Sequence, residues 1–497
     1  MKYFVSCICV LILHLVACSP ALSQQTFERT YGGRFYDSAA EVYQTADHGF
    51  IVFGTTRSVS NDTTDAWLVR TDALGDTLWT RSYGGNLWDS GVAFVPGSDG
   101  GYLLVLATNS FTGNYDIHLI RIDEQGNTQW TKTYGGPQTD YAHSVTSTDD
   151  GGYMIIAHTQ SYGMGSLDHY LLKVDQQGDS LWTRTYGGTG SDWGGSVQQT
   201  ADGGYILAGD THSFDDPDGD IWVIRTDDVG DTLWTRTFGG SGSDRAYSVI
   251  QTDDGGYIVA GQTHALSADH VNGFAMKLDP DGNQDWMTIL GGERENFIDH
   301  VIRAADGDYV AVGGMTAEGR DDYDAYFVRL DKDGTVLAER LFGGPGHDIA
   351  SCIRATSDDG FVIVGSTQSF NPGMDYDFYL IKTDADGMVT AVGETAGGPC
   401  PHSILLHQNY PNPFHPTTMI SYTLTRPMAV SLVITDALGR DVRRAVGDKQ
   451  LAIGMHSVGF DASGLPSGVY FYRLEAHDAG GWTHGSAFQV RKMLLLR

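Results

Sequence analysis

A Gly-Gly pair preceded by an apolar residue recurs seven times, at Tyr31-Gly32-Gly33, Tyr83-Gly84-Gly85, Tyr134-Gly135-Gly136, Tyr186-Gly187-Gly188, Phe238-Gly239-Gly240, Leu290-Gly291-Gly292 and Phe342-Gly343-Gly344. Successive copies stand 52, 51, 52, 52, 52 and 52 residues apart. A period this regular restricts the chain to a repeat architecture, in which each unit is one supersecondary element.

Each copy reads as four short strands. In the fourth they are Ser196 to Thr200, Tyr205 to Gly209, Asp220 to Thr226 and Asp231 to Phe238, separated by Asp/Gly turns. Val, Ile, Tyr, Trp and Thr at period two, bounded by Asp and Gly, are strand-and-hairpin chemistry. The second and third strands are nearly continuous apolar runs, such as Tyr257-Ile258-Val259-Ala260, which need cover on both faces. The fourth alternates, with Trp182, Arg184 and Tyr186 on one face. The first is short and mixed. That gradient predicts a β-propeller blade, with sandwiched middle strands, a solvated outer strand and an inner strand along a central channel.

The fold class is therefore all-β, with a seven-bladed propeller over residues 24–392. Ring closure is also legible. Phe27 to Tyr31 is a fourth-type strand without the three that should precede it. The seventh repeat has its first three strands but only a weak fourth, Met388 to Gly393. Phe27 to Tyr31 is expected to complete the seventh blade. Over residues 26 to about 390 the pattern resembles bacterial seven-bladed propeller repeat families of secreted proteins, which implies the architecture and little about activity.

The N-terminus reads as a signal peptide over residues 1–23. Lys2 is followed by the apolar run Phe4 to Val16, too short to span a bilayer. Ala21-Leu22-Ser23 offers ordinary cleavage before Gln24. Leu15-Val16-Ala17-Cys18 offers lipidation of Cys18. No other segment could span as a helix. Cys7, Cys9 and Cys18 fall in this leader, which leaves Cys352 in a strand and Cys400 in a linker. They read as separate thiols, with a disulfide as the alternative.

The formal net charge is −31. From His402 onward the chain carries +3 and the leader +1, so the middle holds −35. That surface repels nucleic acid and anionic membranes and suits cations or neutral ligands.

Residues 393–401 are a Gly/Pro linker, after which the period disappears. About seven short strands follow within residues 402–497, among them Thr418–Leu424, Val430–Thr435, His456–Phe460 and Gly468–Leu474. These favour a small Ig-like β-sandwich. Tyr410-Pro411-Asn412-Pro413-Phe414, the Asp436-x-x-Gly439-Arg440 turn, Ser467 to Leu474 and the terminal Lys492 to Arg497 resemble the type A C-terminal sorting domain of the type IX secretion system. His415 stands where that family often has Asn. The resemblance implies export across the outer membrane, the secretion machinery as partner, and a Bacteroidota-like source. It also favours an ordinary signal peptide over Cys18 lipidation.

Candidate sites begin with an acid or amide four residues after each Gly-Gly: Asp37, Asp89, Asp140, Asp192, Asp244, Asn296 and Asp348. In a propeller these would ring one channel mouth. They could bind a ligand or Ca²⁺, or they could cap turns by accepting backbone N–H groups. Recurrence favours caps. A basic residue and an Asp end each third strand (Arg70/Asp72 through Lys382/Asp384), which reads as scaffolding. The Asp-x-Asp-Gly runs at Asp279, Asp331 and Asp384 read as hairpin turns. Asp216, Asp218 and Asp220 are the best isolated Ca²⁺ candidates. His212 and His264 occupy equivalent loops but lack zinc spacing. There is no Gly-x-Ser-x-Gly elbow and no phosphate loop. The sixth repeat departs most, with Leu290, Asn296 and Asp308 at variant positions and Glu293, Arg294, His300 and Arg303 nearby. The expected function is a non-catalytic binding or adhesion scaffold for a glycan or protein. The alternative is a polysaccharide hydrolase or lyase using sixth-repeat acids.

Overall fold

The computed structural model describes residues 25–496 except 60–62, 99, 215–217, 265–269, 371–374, 390–403, 425–426, 437–439, 453 and 478–486. The leader with Cys7, Cys9 and Cys18, the linker with Cys400, and Asp216 lie outside the described residues.

Seven four-stranded antiparallel sheets account for Phe27–Tyr31 through Asp377–Thr383. In the third blade, Tyr153–Thr159 and Asp168–Val174 are buried at every position, whereas Ser180–Tyr186 alternates exposed with half-buried. This is the gradient the sequence predicts, because middle strands are covered by neighbouring blades on both faces.

One apolar layer fills each blade junction. Between blades one and two, for example, Phe53 and Leu68 pack with Phe94 and Leu104. The five that follow around the ring are built alike. The seventh joins Val362, Val364 and Leu380 of the last blade to Phe50, Val52 and Trp67 of the first. No blade could bury both faces alone, and the layers close into a ring of seven.

The closing strand is Phe27–Tyr31. It pairs antiparallel with Asp377–Thr383, Phe27 opposite Lys382 and Tyr31 opposite Phe378. It supplies the fourth strand of the blade begun by Asp348–Ala355. Adjacent blades are also tied at the periphery. Tyr31 Oη donates to the Gly75 carbonyl at 2.5 Å, Tyr83 to Gly126 at 2.8 Å and Tyr186 to Gly230 at 2.6 Å. The tyrosine before Gly-Gly, present at Tyr31, Tyr83, Tyr134 and Tyr186, therefore reaches the outer turn of the next blade.

The C-terminal strands form separate sheets of three and four strands around one core containing Phe414, Tyr422, Ile434, Tyr472 and Met493. The result is a small β-sandwich. It meets the propeller at the closure seam, where Tyr410 Oη donates to Asp377 Oδ1 at 3.2 Å and Lys492 Nζ stands 3.6 Å from Asp72 and 3.7 Å from Asp76. No helix among the described residues is long and apolar enough to cross a membrane.

Candidate functional site

The inner strands form the central ring, each touching the inner strands of both neighbouring blades. Every inner strand opens with the acid or amide four residues past Gly-Gly, except in the fifth blade, where Asp244 stands just before it. All seven of these side chains are buried. Asp192 accepts from Gly188 N–H at 3.0 Å, from Ser213 Oγ at 2.6 Å and from Thr211 Oγ1. Asp37, Asp89, Asp140, Asp244 and Asp348 likewise accept from a Gly-Gly N–H and from a second-strand Thr. The acids thus clamp the Gly-Gly turn to their own blade instead of opening on the channel as a rim.

The sixth blade changes the clamp as a unit. Asn296 pairs across the sheet with Met315, where the other blades carry Thr. Its Oδ1 accepts from Gly273 N–H at 2.8 Å, and its Nδ2 donates to the Leu290 and Arg294 carbonyls at 3.0 and 2.8 Å. An amide supplies donors that a methionine cannot.

The four sixth-repeat side chains do not come together. Glu293 is exposed at the Gly-Gly end, and Arg294 is half-buried near it. His300 lies within the channel wall. Arg303, at the far end of Asn296–Arg303, pairs with Asp253 at 2.5 Å. An extended strand separates them by about 3.3 Å per residue. The third-strand basic residues bond a turn of their own blade, as Lys173 to Asp150 at 2.8 Å and Arg225 to Asp202 at 2.5 Å, and some also reach the next blade, as Arg225 to Tyr257 Oη at 2.9 Å and Arg329 to the Ala385 carbonyl at 2.8 Å. Asp279 and Asp331 cap hairpin turns through backbone N–H groups. Asp220 is buried and Asp218 is exposed. No group of three potential ligands gathers among the described residues.

The geometry reveals a feature that the repeat alone hides. Every inner strand shifts register at one position, at Ala40, Val92, His143, Gly195, Tyr247, Asp299 and Ser351. Bulges re-aim side chains and are common beside functional sites. All seven residues are half-buried, while the residue before each is buried. They are seven different amino acids in otherwise similar repeats. Small ones at Ala40 and Val92 leave room for a cavity of 540 Å³, lined also by Tyr36, Trp88, Tyr141, His143, Arg57 and Asp375.

Around the wall, Asp299 is pushed up to about 7 by burial. His143 Nε2 lies 2.6 Å from His158 Nδ1. Burial, then the neighbouring histidines, lower His143 to about 3, so both rings are neutral at pH 7. Deeper in the wall, Arg354 donates to Glu41 Oε1 at 2.7 Å and to His300 Nε2 at 3.0 Å, and Cys352 Sγ bonds Glu41 at 3.0 Å. Cys352 is a free, buried thiol. His300 is thus a neutral acceptor in a polar knot, well below its ordinary value through burial and then Arg354.

The sandwich carries its own motif geometry. Asn409 N–H donates to Tyr472 Oη at 2.6 Å, and Arg440 Nε pairs with Asp436 at 2.6 Å. Residues 408–483 match the secretion system C-terminal sorting domain. The C-terminal sandwich is a type IX sorting domain. The sorting domain marks the protein for export to the extracellular space or outer cell surface, and it is the element that the secretion machinery recognises.

None of the curated proteins matches the chain in sequence. Among solved structures it is similar to the Pan2 WD40 domain of Neurospora crassa, with TM-score 0.43, 8% identity, and 73% of this chain and 96% of that one covered. It is similar to a fungal alcohol oxidase of the AA5 family in complex with copper, with TM-score 0.47, 12% identity, and 95% and 99% covered. It is also similar to Penicillium chrysogenum alpha-L-arabinanase complexed with arabinobiose, with TM-score 0.39, 12% identity, and 59% and 92% covered.

Proposed function

We propose that the exported propeller is a non-catalytic binding scaffold that takes its ligand, a glycan or protein, at the Gly-Gly mouth of the channel. The observation that carries this reading is the contrast between clamp and bulge. Clamp positions repeat from blade to blade because they hold the ring. The bulge position differs in all seven blades and stands where a ligand would meet the wall. A repeated architecture carrying a ring of seven different side chains suits recognition more than chemistry.

A second reading, a hydrolase or lyase, has Asp299 in its favour. A carboxyl group poised near neutrality in a channel wall is a candidate general acid. Filling the cavity separates the two readings. In the full chain, Ala40→Trp should abolish ligand capture, measured by surface plasmon resonance against extracellular polysaccharides and proteins, with no turnover in wild type. Bond cleavage that disappears in Asp299→Asn would establish the enzyme instead.

A further inference from the structure

We propose that the cavity between blades one, two and three binds a neutral saccharide unit. This rests on the scaffold reading above and names its ligand class. The cavity's 540 Å³ lies within the range of small-ligand sites. Two aromatic rings stand open at its edge, Trp88 at 51% and Tyr36 at 40% exposure.

The Tyr36 ring is braced from behind, and the Trp88 backbone is held by Asn109, whose side chain accepts from the Trp88 N–H at 2.8 Å. Tyr36 meets Tyr376 edge-on, with centroids 5.7 Å apart. Tyr141, also in the wall, stacks on His158 at 5.7 Å with the planes 8° apart, and it touches Tyr115 at 5.6 Å. A braced ring has little conformational entropy left to lose when a ligand arrives. Its face carries negative quadrupole density, which attracts polarised C–H bonds.

A pyranose presents C–H bonds on its faces and hydroxyls around its edge. In the remaining wall the hydroxyls of Ser38, Thr55 and Ser90, already bonded to Ser366, Gly91 and Tyr141, keep acceptor lone pairs for that edge, with Arg57 and Asp375 at the rim. Among the described residues neither the Arg57 guanidinium nor the Asp375 carboxylate has a hydrogen-bond partner. A fork of donors and an acceptor therefore face the same space. An apolar peptide side chain would cover these groups without pairing them. An anionic ligand would meet a chain of net charge −31. The chemistry that satisfies both ring faces and polar edge is an uncharged sugar.

The test uses the full chain on an array of neutral and uronate-bearing oligosaccharides, followed by calorimetric titration with the hits. The expected result is binding of neutral members, with Kd raised at least tenfold by Trp88→Ala and by Tyr36→Ala. Phe111→Ala should leave it unchanged, because Phe111 packs against His118 with the rings tilted by 32° and is absent from the cavity wall. Circular dichroism and an unchanged melting temperature confirm that the variants fold. Binding of uronates only, or saccharide binding that survives Trp88→Ala, overturns the proposal. A blank array with a protein ligand captured in an Ala40→Trp-sensitive manner overturns the saccharide and leaves the scaffold standing. Saccharide binding that survives Ala40→Trp overturns both.

Discussion

Asp377 of the last blade and Asp37 of the first converge on Gly32. A Cβ there would lie 2.0 Å from Asp377 Oδ1 and 2.8 Å from Asp37 Oδ2. The same crowding recurs where Asp168 and Asp192 meet over Gly187, and where Asp220 and Asp244 meet over Gly239. The first glycine of these pairs is thus hemmed in by two carboxylates, whereas Gly291 faces Asn296 and Met315 and Gly343 faces Asp348. At the junction with Asn296, Asn272 stands at the third-strand position of the Asp, and its Nδ2 donates to the Gly292 carbonyl at 3.2 Å.

Burial, and then the Asp37 charge, push Asp377 up to about 9. A carboxyl raised above its unfolded value, about 3.9, contributes stability that is full below that value and is lost as pH rises through 9. Asp377→Asn should flatten the fall of melting temperature between pH 5 and pH 9 and change little at pH 4. Parallel pH profiles for wild type and variant would refute the assignment.

Asn296→Asp should destabilise by about 1–3 kcal/mol, because a buried carboxylate would face the Leu290 and Arg294 carbonyls without a donor. Adding Met315→Thr restores the hydroxyl that the other blades use and should recover part of the loss. A double-mutant cycle in urea checks this, and additive losses would contradict the coupled clamp.

Glu41→Leu leaves the Arg354 charge in the channel wall beside a neutral histidine, and should cost about 3 kcal/mol. Arg354→Leu with Glu41→Leu should cost less than Glu41→Leu alone. Equal losses would show that the ion pair is not coupled.

Truncation after residue 403 removes the sorting domain. The propeller should then be retained inside the outer membrane, read by fractionation and surface proteolysis. Normal surface display would contradict export through this domain.

The blades, their number and the closing strand were legible because hydrophobic periodicity and a constant period report directly on packing. Even the outer-strand face of Trp182, Arg184 and Tyr186 is as the alternation requires. The bulge at Ala40 or Asp299 was not, because a register shift changes hydrogen bonding without altering the residue pattern around it. Proximity in sequence also misled at Glu293 and Arg303, which stand beyond the start and at the end of one inner strand, Asn296–Arg303. The Thr partner of each Asp clamp lay about 19 residues away, visible only once inner and second strands were paired.

Phe27–Tyr31 closes the ring as the outer strand of blade seven, and its Phe27 and Tyr31 belong to the apolar layer that joins that blade to the first. Deleting residues 26–33 from the full chain and following thermal unfolding tests this directly. The closed ring predicts a melting temperature lower by on the order of 10 °C or more, with saccharide binding lost alongside it. An unchanged melting temperature would contradict the closure and the channel site built on it.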